Sequence, residues 1–193
     1  MKHPSIQFEC SRPTARRQSL ARRGFTLLET ALAIVIVGVG VLAMMAGQQA
    51  WHFQNDWAEQ VGLAARLGNE IREMTLTLPR HDPVTGSDSW GSEPNEASVS
   101  DFDDLDDFDG NGSGITFAGS DSSGPLNSLR QPIVGLADWS QEVRVWNVEA
   151  GDINAAVTDG SSEVMLVEVT VYWDDPRMVG LREMTRVRWI APN

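Results

Sequence analysis

The chain has very little of the chemistry on which most enzyme active sites depend. Among its 193 residues there is one cysteine, Cys10, and one lysine, Lys2. Beyond these positions there is no thiol for a disulfide, a thiolate metal site or a nucleophile, and no lysine for a Schiff base or a phosphate-binding loop. The histidines are His3, His52 and His81. We expect a protein that is not an enzyme, with no catalytic residues, because only paired carboxylates are left for acid-base chemistry.

Positive charge is also scarce, and it is unevenly distributed. The chain has 15 lysine and arginine residues against 27 aspartate and glutamate residues, and its net charge is -12. Six of the basic side chains but only one acidic side chain lie within residues 1–24, so the remainder is strongly acidic. Such a surface repels the phosphate backbone at long range. We therefore expect no nucleic-acid partner.

A long apolar run follows the basic N-terminal region. Residues 25–47 contain one charged side chain, Glu29, and the next charge is Asp56. A helix of this length extends about 34 Å, which is enough to cross a hydrocarbon core of about 30 Å. Arginines crowd its N-terminal side, so the positive-inside rule places the N-terminus in the cytoplasm and exports the rest of the chain. We predict a single membrane span; a buried core helix explains the one-sided arginines poorly.

The junction between the basic region and the apolar run has a distinctive order of residues. Residues 22–29 read RRGFTLLE, which puts a glycine at the water boundary, then an aromatic residue, then a carboxylate one helical turn into the apolar run. An ionised carboxylate in hydrocarbon costs about 2.5 to 3.5 kcal/mol on insertion scales. Glu29 is therefore expected to have a functional partner, unless it reaches the headgroup region by snorkelling.

This junction resembles the signal of type IV pilins and type II secretion pseudopilins. The resemblance implies that residues 1–24 are a leader, that a prepilin peptidase cleaves between Gly24 and Phe25, and that Phe25 is N-methylated. It also implies assembly into a helical fibre, in which the new amine of one subunit pairs with Glu29 of its neighbour and so removes the cost of a lone buried charge. The apolar run has no proline and the C-terminal region has no cysteine pair, which favours a minor pilin or minor pseudopilin over a major one.

The resemblance further implies the partners and the location of the protein. The partners would be the prepilin peptidase, other pilin or pseudopilin subunits, the inner-membrane assembly platform and membrane lipid. The protein would begin as a single-pass protein of the inner membrane and end in a fibre in the periplasm or at the cell surface, serving secretion, adhesion or motility. The alternative is a solitary membrane-anchored exported domain that binds calcium or another ligand without assembling.

The rest of the chain divides into three regions by composition. Residues 48–78 continue the helix, with apolar residues at three- and four-residue spacing and Pro79 setting its end near 76–78. In this region we expect Trp51 at the membrane interface and Trp57 in the core. Residues 79–140 are acidic and rich in glycine and serine, which predicts a loop with room for short strands. A loop of this length is expected to be either a functional variable loop or partly disordered. Residues 141–193 alternate apolar and polar residues, which predicts an antiparallel sheet.

These regions together predict an α+β fold in which a long N-terminal helix packs on a C-terminal antiparallel sheet. Within the sheet, residues 165–173 have one apolar face, and residues 181–189 complete a hairpin whose arginines pair across the strands with acidic side chains. This element order looks like the pilin fold.

The acidic loop contains half of a calcium-binding pattern. Asp107, Asp109 and Asn111 alternate ahead of Gly112, as oxygen ligands do in a calcium loop, but Ala118 stands where a bidentate glutamate would belong. A calcium site would therefore have to recruit further ligands such as Asp103, Asp104 or Asp106. Calcium is the one cofactor that the sequence suggests, and the alternative is a solvated acidic turn.

Overall fold

The computed structural model describes residues 25–84, 86 and 90–191, and these form two units. The first unit runs as far as Ala50 and the second begins at Trp51. A single helix, α1, spans Leu27–Thr75 and contributes to both. In the first unit every described side chain is exposed. This part of α1 is long and apolar enough to cross a membrane once.

The C-terminal part of α1 has a buried face, as its apolar spacing predicts. Ala64, Leu67, Ile71 and Met74 are buried, which confirms the expected core face. The helix ends at Thr75, close to the predicted end at 76–78. There the Thr75 hydroxyl donates to the carbonyl oxygens one turn back, at 3.0 and 3.1 Å.

Trp57 was expected in this core, and that prediction is wrong. Its side chain is 39% exposed. The guanidinium of Arg182 lies 4.0 Å from the centre of the indole ring. A cation over an aromatic face is a favourable contact that does not require burial. Trp51 is 66% exposed, and its expected place at a membrane interface stays a prediction.

A five-stranded antiparallel sheet makes up the C-terminal half of the second unit. Its strands are β1 (Ile115–Ala118), β2 (Trp139–Glu149), β3 (Asp152–Ala156), β4 (Met165–Trp173) and β5 (Arg182–Ile190). The order is β1-β2-β4-β5, and β3 pairs with the end of β2. The α+β class and the β4–β5 hairpin are thus confirmed. The sheet also begins earlier than predicted, because β1 comes from the acidic loop region.

Strand β4 is buried on both faces. Its predicted core face is confirmed, since Met165, Val167, Val169, Val171 and Trp173 are all buried. The opposite face carries Glu168, which is only 6% exposed. Its carboxylate accepts hydrogen bonds from Arg186 and Arg188 of β5, so the predicted cross-strand pairing is also confirmed.

A glycine and a buried amide contribute to the contact between the helix and the sheet, in addition to the apolar core. A Cβ atom on Gly68 would lie 2.9 Å from Cγ2 of Val187 in β5, so the absence of a side chain lets the helix approach the sheet. Gln141 of β2 is fully buried. Its Nε2 donates to the carbonyl oxygens of Leu67 and Leu126, at 2.8 and 3.1 Å, and its Oε1 accepts the Leu126 N–H at 2.7 Å. One side chain therefore joins helix, loop and sheet.

Candidate functional site

The acidic segment is anchored by apolar residues three positions apart. Phe102, Leu105 and Phe108 are buried, and the two phenylalanine rings meet edge to face with their centres 5.1 Å apart. These anchors carry the intervening carboxylates into the interior. Asp104 and Asp107 are only 2% and 1% exposed. The expected solvated acidic turn is therefore wrong, because the apolar anchors outweigh the preference of the carboxylates for water.

Asp109 and Asn111, two members of the predicted calcium pattern, shape a turn. A short 3-10 helix spans Asp106–Asp109 and ends at Gly110, which has a left-handed backbone with φ of 58°. Oδ2 of Asp109 accepts the N–H of Gly112 at 2.6 Å. Asn111 also has positive φ, at 58°, and is exposed. This is the Asx-type turn chemistry that favours Asp and Asn in left-handed positions.

Asp107, the third member of the pattern, has a different environment. Its Oδ2 accepts the N–H groups of Asp103 and Asp104, at 2.9 and 3.3 Å. In return, Oδ1 of Asp104 accepts the N–H of Asp107 at 3.1 Å. The carboxyl of Asp107 is also hydrogen-bonded to that of Glu96. The side chain of Asp107 is thus held by two backbone N–H groups and by a neighbouring carboxyl.

Asp107 also belongs to two groups of carboxylates. Within the described ranges, two sets of three acidic side chains each have oxygens within 4.8 Å of one another, and Asp107 is in both. One set is Glu93, Glu96 and Asp107; the other is Asp103, Asp104 and Asp107. Of the predicted ligands the structure therefore brings Asp107 into a cluster, and it adds the anticipated Asp103 and Asp104. Asp109 and Asn111 are not part of either set.

Sequence reasoning missed Glu93 and Glu96. They begin and end a local turn in which Oε2 of Glu96 accepts the N–H of Glu93 at 3.0 Å, and the N–H of Glu96 donates to the carbonyl oxygen of Glu93 at 2.9 Å. Two acids three residues apart in a turn could be recognised in the sequence. Their position next to Asp107 depends on the tertiary fold, so no pattern in the local sequence predicts it.

Burial strongly affects the charge of this cluster. It raises the pKa of Asp104, Asp106 and Asp107, and the hydrogen bond between the carboxyls of Asp104 and Asp106 raises that of Asp104 further. The pKa of Glu93 is raised first by its hydrogen bond to Glu96 and then by burial. For the three aspartates the neutral form is favoured first because the low-dielectric interior penalises the charged carboxylate. A hard cation that accepts oxygen ligands would reverse that preference.

The second candidate site is the N-terminal junction. Gly24 and the rest of the predicted leader, residues 1–24, lie outside the described residues, and Phe25 is 78% exposed. Oε2 of Glu29 accepts the backbone N–H of Thr26 at 3.0 Å and its hydroxyl at 3.2 Å. The Thr26 hydroxyl in turn accepts the N–H of Glu29 at 3.3 Å. This is a capping box, whose Thr-x-x-Glu signature is present in the sequence but was overlooked there.

Comparison of the chain with protein-family models, curated proteins and solved structures gives no significant match. Function therefore has to be inferred from the residues themselves. Among the described residues, the N-terminal junction and the carboxylate cluster are two arrangements whose chemistry goes beyond packing.

Proposed function

We propose that the protein is a minor pilin-like structural subunit of a type IV pilus or a type II secretion pseudopilus. A prepilin peptidase removes residues 1–24 by cleaving between Gly24 and Phe25, Phe25 is then N-methylated, and the inner-membrane assembly platform moves the subunit into a fibre. The observation that carries this proposal is an apolar helix over residues 27–50 with no buried side chain and with a single carboxylate, Glu29, in its first turn.

Such a helix is not stable in water on its own. Its apolar side chains need either lipid or the same helices of neighbouring subunits, and both environments exclude water. The capping box gives Glu29 local hydrogen bonds, and the positive end of the helix dipole favours its charge. These contacts supply no full positive charge. The amine created at Phe25 of a neighbouring subunit would supply it and would fix the axial register of the fibre.

The remaining structure supports the same proposal. A long helix followed by an antiparallel sheet is the element order of pilin-like folds, and the exported acidic domain would face the periplasm or the medium. The subunit would first be a single-pass protein of the inner membrane, with its N-terminus in the cytoplasm.

Processing is tested by the mass of the protein extracted from membranes. We expect the mature chain to start at Phe25 with one additional methyl group, and to keep Met1 in cells without the prepilin peptidase. A chain that always starts at Met1, or that is cut after the apolar run near Ala46, would contradict the proposal. An anchored or secreted binding domain would then be the better description.

Assembly is tested by separating the charge of Glu29 from its capping role. Glu29→Gln keeps the capping hydrogen bonds, because glutamine also serves at this position of a capping box, but it removes the charge. Thr26→Ala removes the hydroxyl of the cap and keeps the charge. We expect Glu29→Gln to abolish incorporation into sheared fibres and Thr26→Ala to retain most of it, with equal amounts of both variants in the membrane. The opposite pattern would show that Glu29 serves only the helix cap.

A further inference from the structure

The turn between β4 and β5 has an apolar tip that is open to solvent. Met178 and Val179 precede Gly180 in this turn, and Leu181 follows it. Val179 is fully exposed, and Met178 and Leu181 are 57% and 64% exposed. A turn that only connects two strands is normally polar, so adjoining apolar side chains at its tip call for a functional reason. Exposed apolar patches of this kind mark contacts with another protein or with a membrane.

The base of this turn is held by a buried carboxylate. Oδ1 of Asp175 accepts the backbone N–H and the Nε–H of Arg177, both at 2.9 Å. The carbonyl oxygen of Asp175 accepts the N–H of Met178 at 2.8 Å. The guanidinium of Arg177 also lies 5.7 Å from the centre of the Trp173 ring. These contacts fix the turn from below and use the charge of Arg177, so the apolar tip is presented on an ordered base.

The tip lies beside the part of α1 that follows the apolar run. A cleft of about 270 Å³ is lined by Phe53 and Trp57 of the helix and by Met178 and Arg182 of the turn and β5. Phe53 and Trp57 follow Gly47, the last residue of the apolar run, by six and ten residues of the same helix. These separations correspond to about 9 and 15 Å of helix rise. The tip is therefore at the end of the second unit that is joined to the apolar run.

Arg182 adds a cation to this surface. Its guanidinium lies over the half-exposed ring of Trp57, 4.0 Å from the ring centre. Among the described residues Arg182 forms no ion pair. A guanidinium over an aromatic face keeps its N–H edge available, and that edge can donate two parallel hydrogen bonds to a phosphate. Indole rings beside cationic side chains are also typical of the headgroup level of a membrane.

We propose that the exported domain docks through this surface on the phospholipid bilayer that the apolar run spans. Met178, Val179 and Leu181 would enter the boundary between headgroups and acyl chains, and Arg182 would bind a lipid phosphate. Lipid is favoured over a second copy of the chain because α1 tethers the surface to the bilayer, which gives the contact a high effective concentration. The inference rests on the membrane span that the proposed function requires, but not on processing or fibre assembly.

The test measures how deeply the tip lies in a bilayer. The full chain with Cys10→Ser and Val179→Cys is labelled with a nitroxide and placed, one chain per disc, in nanodiscs of phosphatidylethanolamine and phosphatidylglycerol. EPR power saturation compares collisions of the label with oxygen, which partitions into lipid, and with a water-soluble nickel chelate. We expect oxygen collisions to dominate at Val179. The positional control is Val134→Cys, since Val134 is 97% exposed in another loop, and there nickel collisions should dominate.

Matched variants separate the docking surface from net charge. Arg182→Gln should lower the ratio of docked to undocked domain, read from the two components of the EPR spectrum, by about fivefold. Met178→Ser combined with Leu181→Ser should lower it further, because it removes apolar area from the tip. Arg144→Gln removes the same charge from an exposed side chain outside this surface and should leave the ratio unchanged. An equal loss in Arg144→Gln would overturn the proposal.

A label in the apolar run distinguishes failure of this inference from failure of the membrane span. If a label at Val37→Cys is in lipid while the label at Val179→Cys is in water, docking is refuted and the span stands. If both labels are in water, the span and the proposed function are refuted as well. If Val179→Cys is shielded from the nickel chelate only in discs that hold several chains, the partner is a second copy and the assignment to lipid is wrong.

Discussion

Replacing Gly68 by alanine tests how closely α1 lies on the sheet, and Gly62 of the same helix is a natural control. A Cβ atom on Gly68 would lie 2.9 Å from Cγ2 of Val187 and 3.8 Å from Cγ2 of Val171. A Cβ atom on Gly62 would have no neighbour within 4 Å. Both substitutions raise the helix propensity by the same amount, because each replaces a glycine of α1 by alanine. Their effects on stability should therefore differ only through the contacts that the new methyl group makes.

The magnitudes follow from two opposing effects. Alanine in place of glycine stabilises a helix interior by about 0.5 to 1 kcal/mol. Overpacking of a core typically costs about 1 to 3 kcal/mol, and Val187 cannot easily turn away because its β-branched side chain is stiff. Gly62→Ala should therefore stabilise the domain by about 0.5 to 1 kcal/mol. Gly68→Ala should destabilise it by up to about 2.5 kcal/mol, which is the overpacking cost less the propensity gain.

Urea unfolding of the full chain in micelles, followed by tryptophan fluorescence, measures these differences. The buried Trp139, Trp173 and Trp189 report on the sheet. A double variant with Val187→Ala removes the clashing methyl group, so the cost of Gly68→Ala should fall by about 1 kcal/mol or more in that background. If Gly68→Ala stabilises the domain as much as Gly62→Ala does, the described contact between helix and sheet is wrong.

Two further predictions concern polar groups that connect the helix to the rest of the domain. Gln141→Leu should destabilise the domain by about 2 to 4 kcal/mol in the same unfolding assay, because it leaves buried backbone groups of Leu126 without partners; a variant as stable as the wild type would refute this. The Ser128 N–H donates to Glu70 at 2.8 Å and holds the pKa of Glu70 below its ordinary value of 4.5. The stability that this contact contributes should be present above pH 4.5 and lost as the pH falls through the lowered pKa, so Glu70→Gln should show a smaller loss of stability between pH 5 and pH 3 than the wild type.

Periodic segments were predictable from the sequence. The alternation in Met165–Trp173 has the period of a strand with one buried face, and β4 has those bounds. The spacing from Ala64 to Met74 likewise indicated the buried face of α1. In these segments the local pattern agrees with the tertiary environment. Composition and periodicity are therefore sufficient to predict the type of element and its buried face.

The acidic segment was not predictable in the same way. Five aspartates between 103 and 109 dominate its composition, and they hide the three-residue spacing of Phe102, Leu105 and Phe108. Those three apolar side chains decide the burial of their acidic neighbours. The approach of Glu93 to Asp107 depends on how two loops are brought together, which no local pattern encodes. Short strands were allowed in this region, but the position of β1 was not predicted, since four residues are too few for a period to emerge.

The order of the strands leaves β5 with an edge that pairs with no other strand of the described chain. At nine residues it is long enough to add a strand from another molecule, and such edges promote aggregation. Arg182, Arg186 and Arg188 occur along this edge strand, so two copies aligned edge to edge would bring like charges together. The arginines that neutralise Glu168 within one domain therefore also disfavour pairing of the β5 edges of two domains. Many copies can then lie close together without forming a shared sheet.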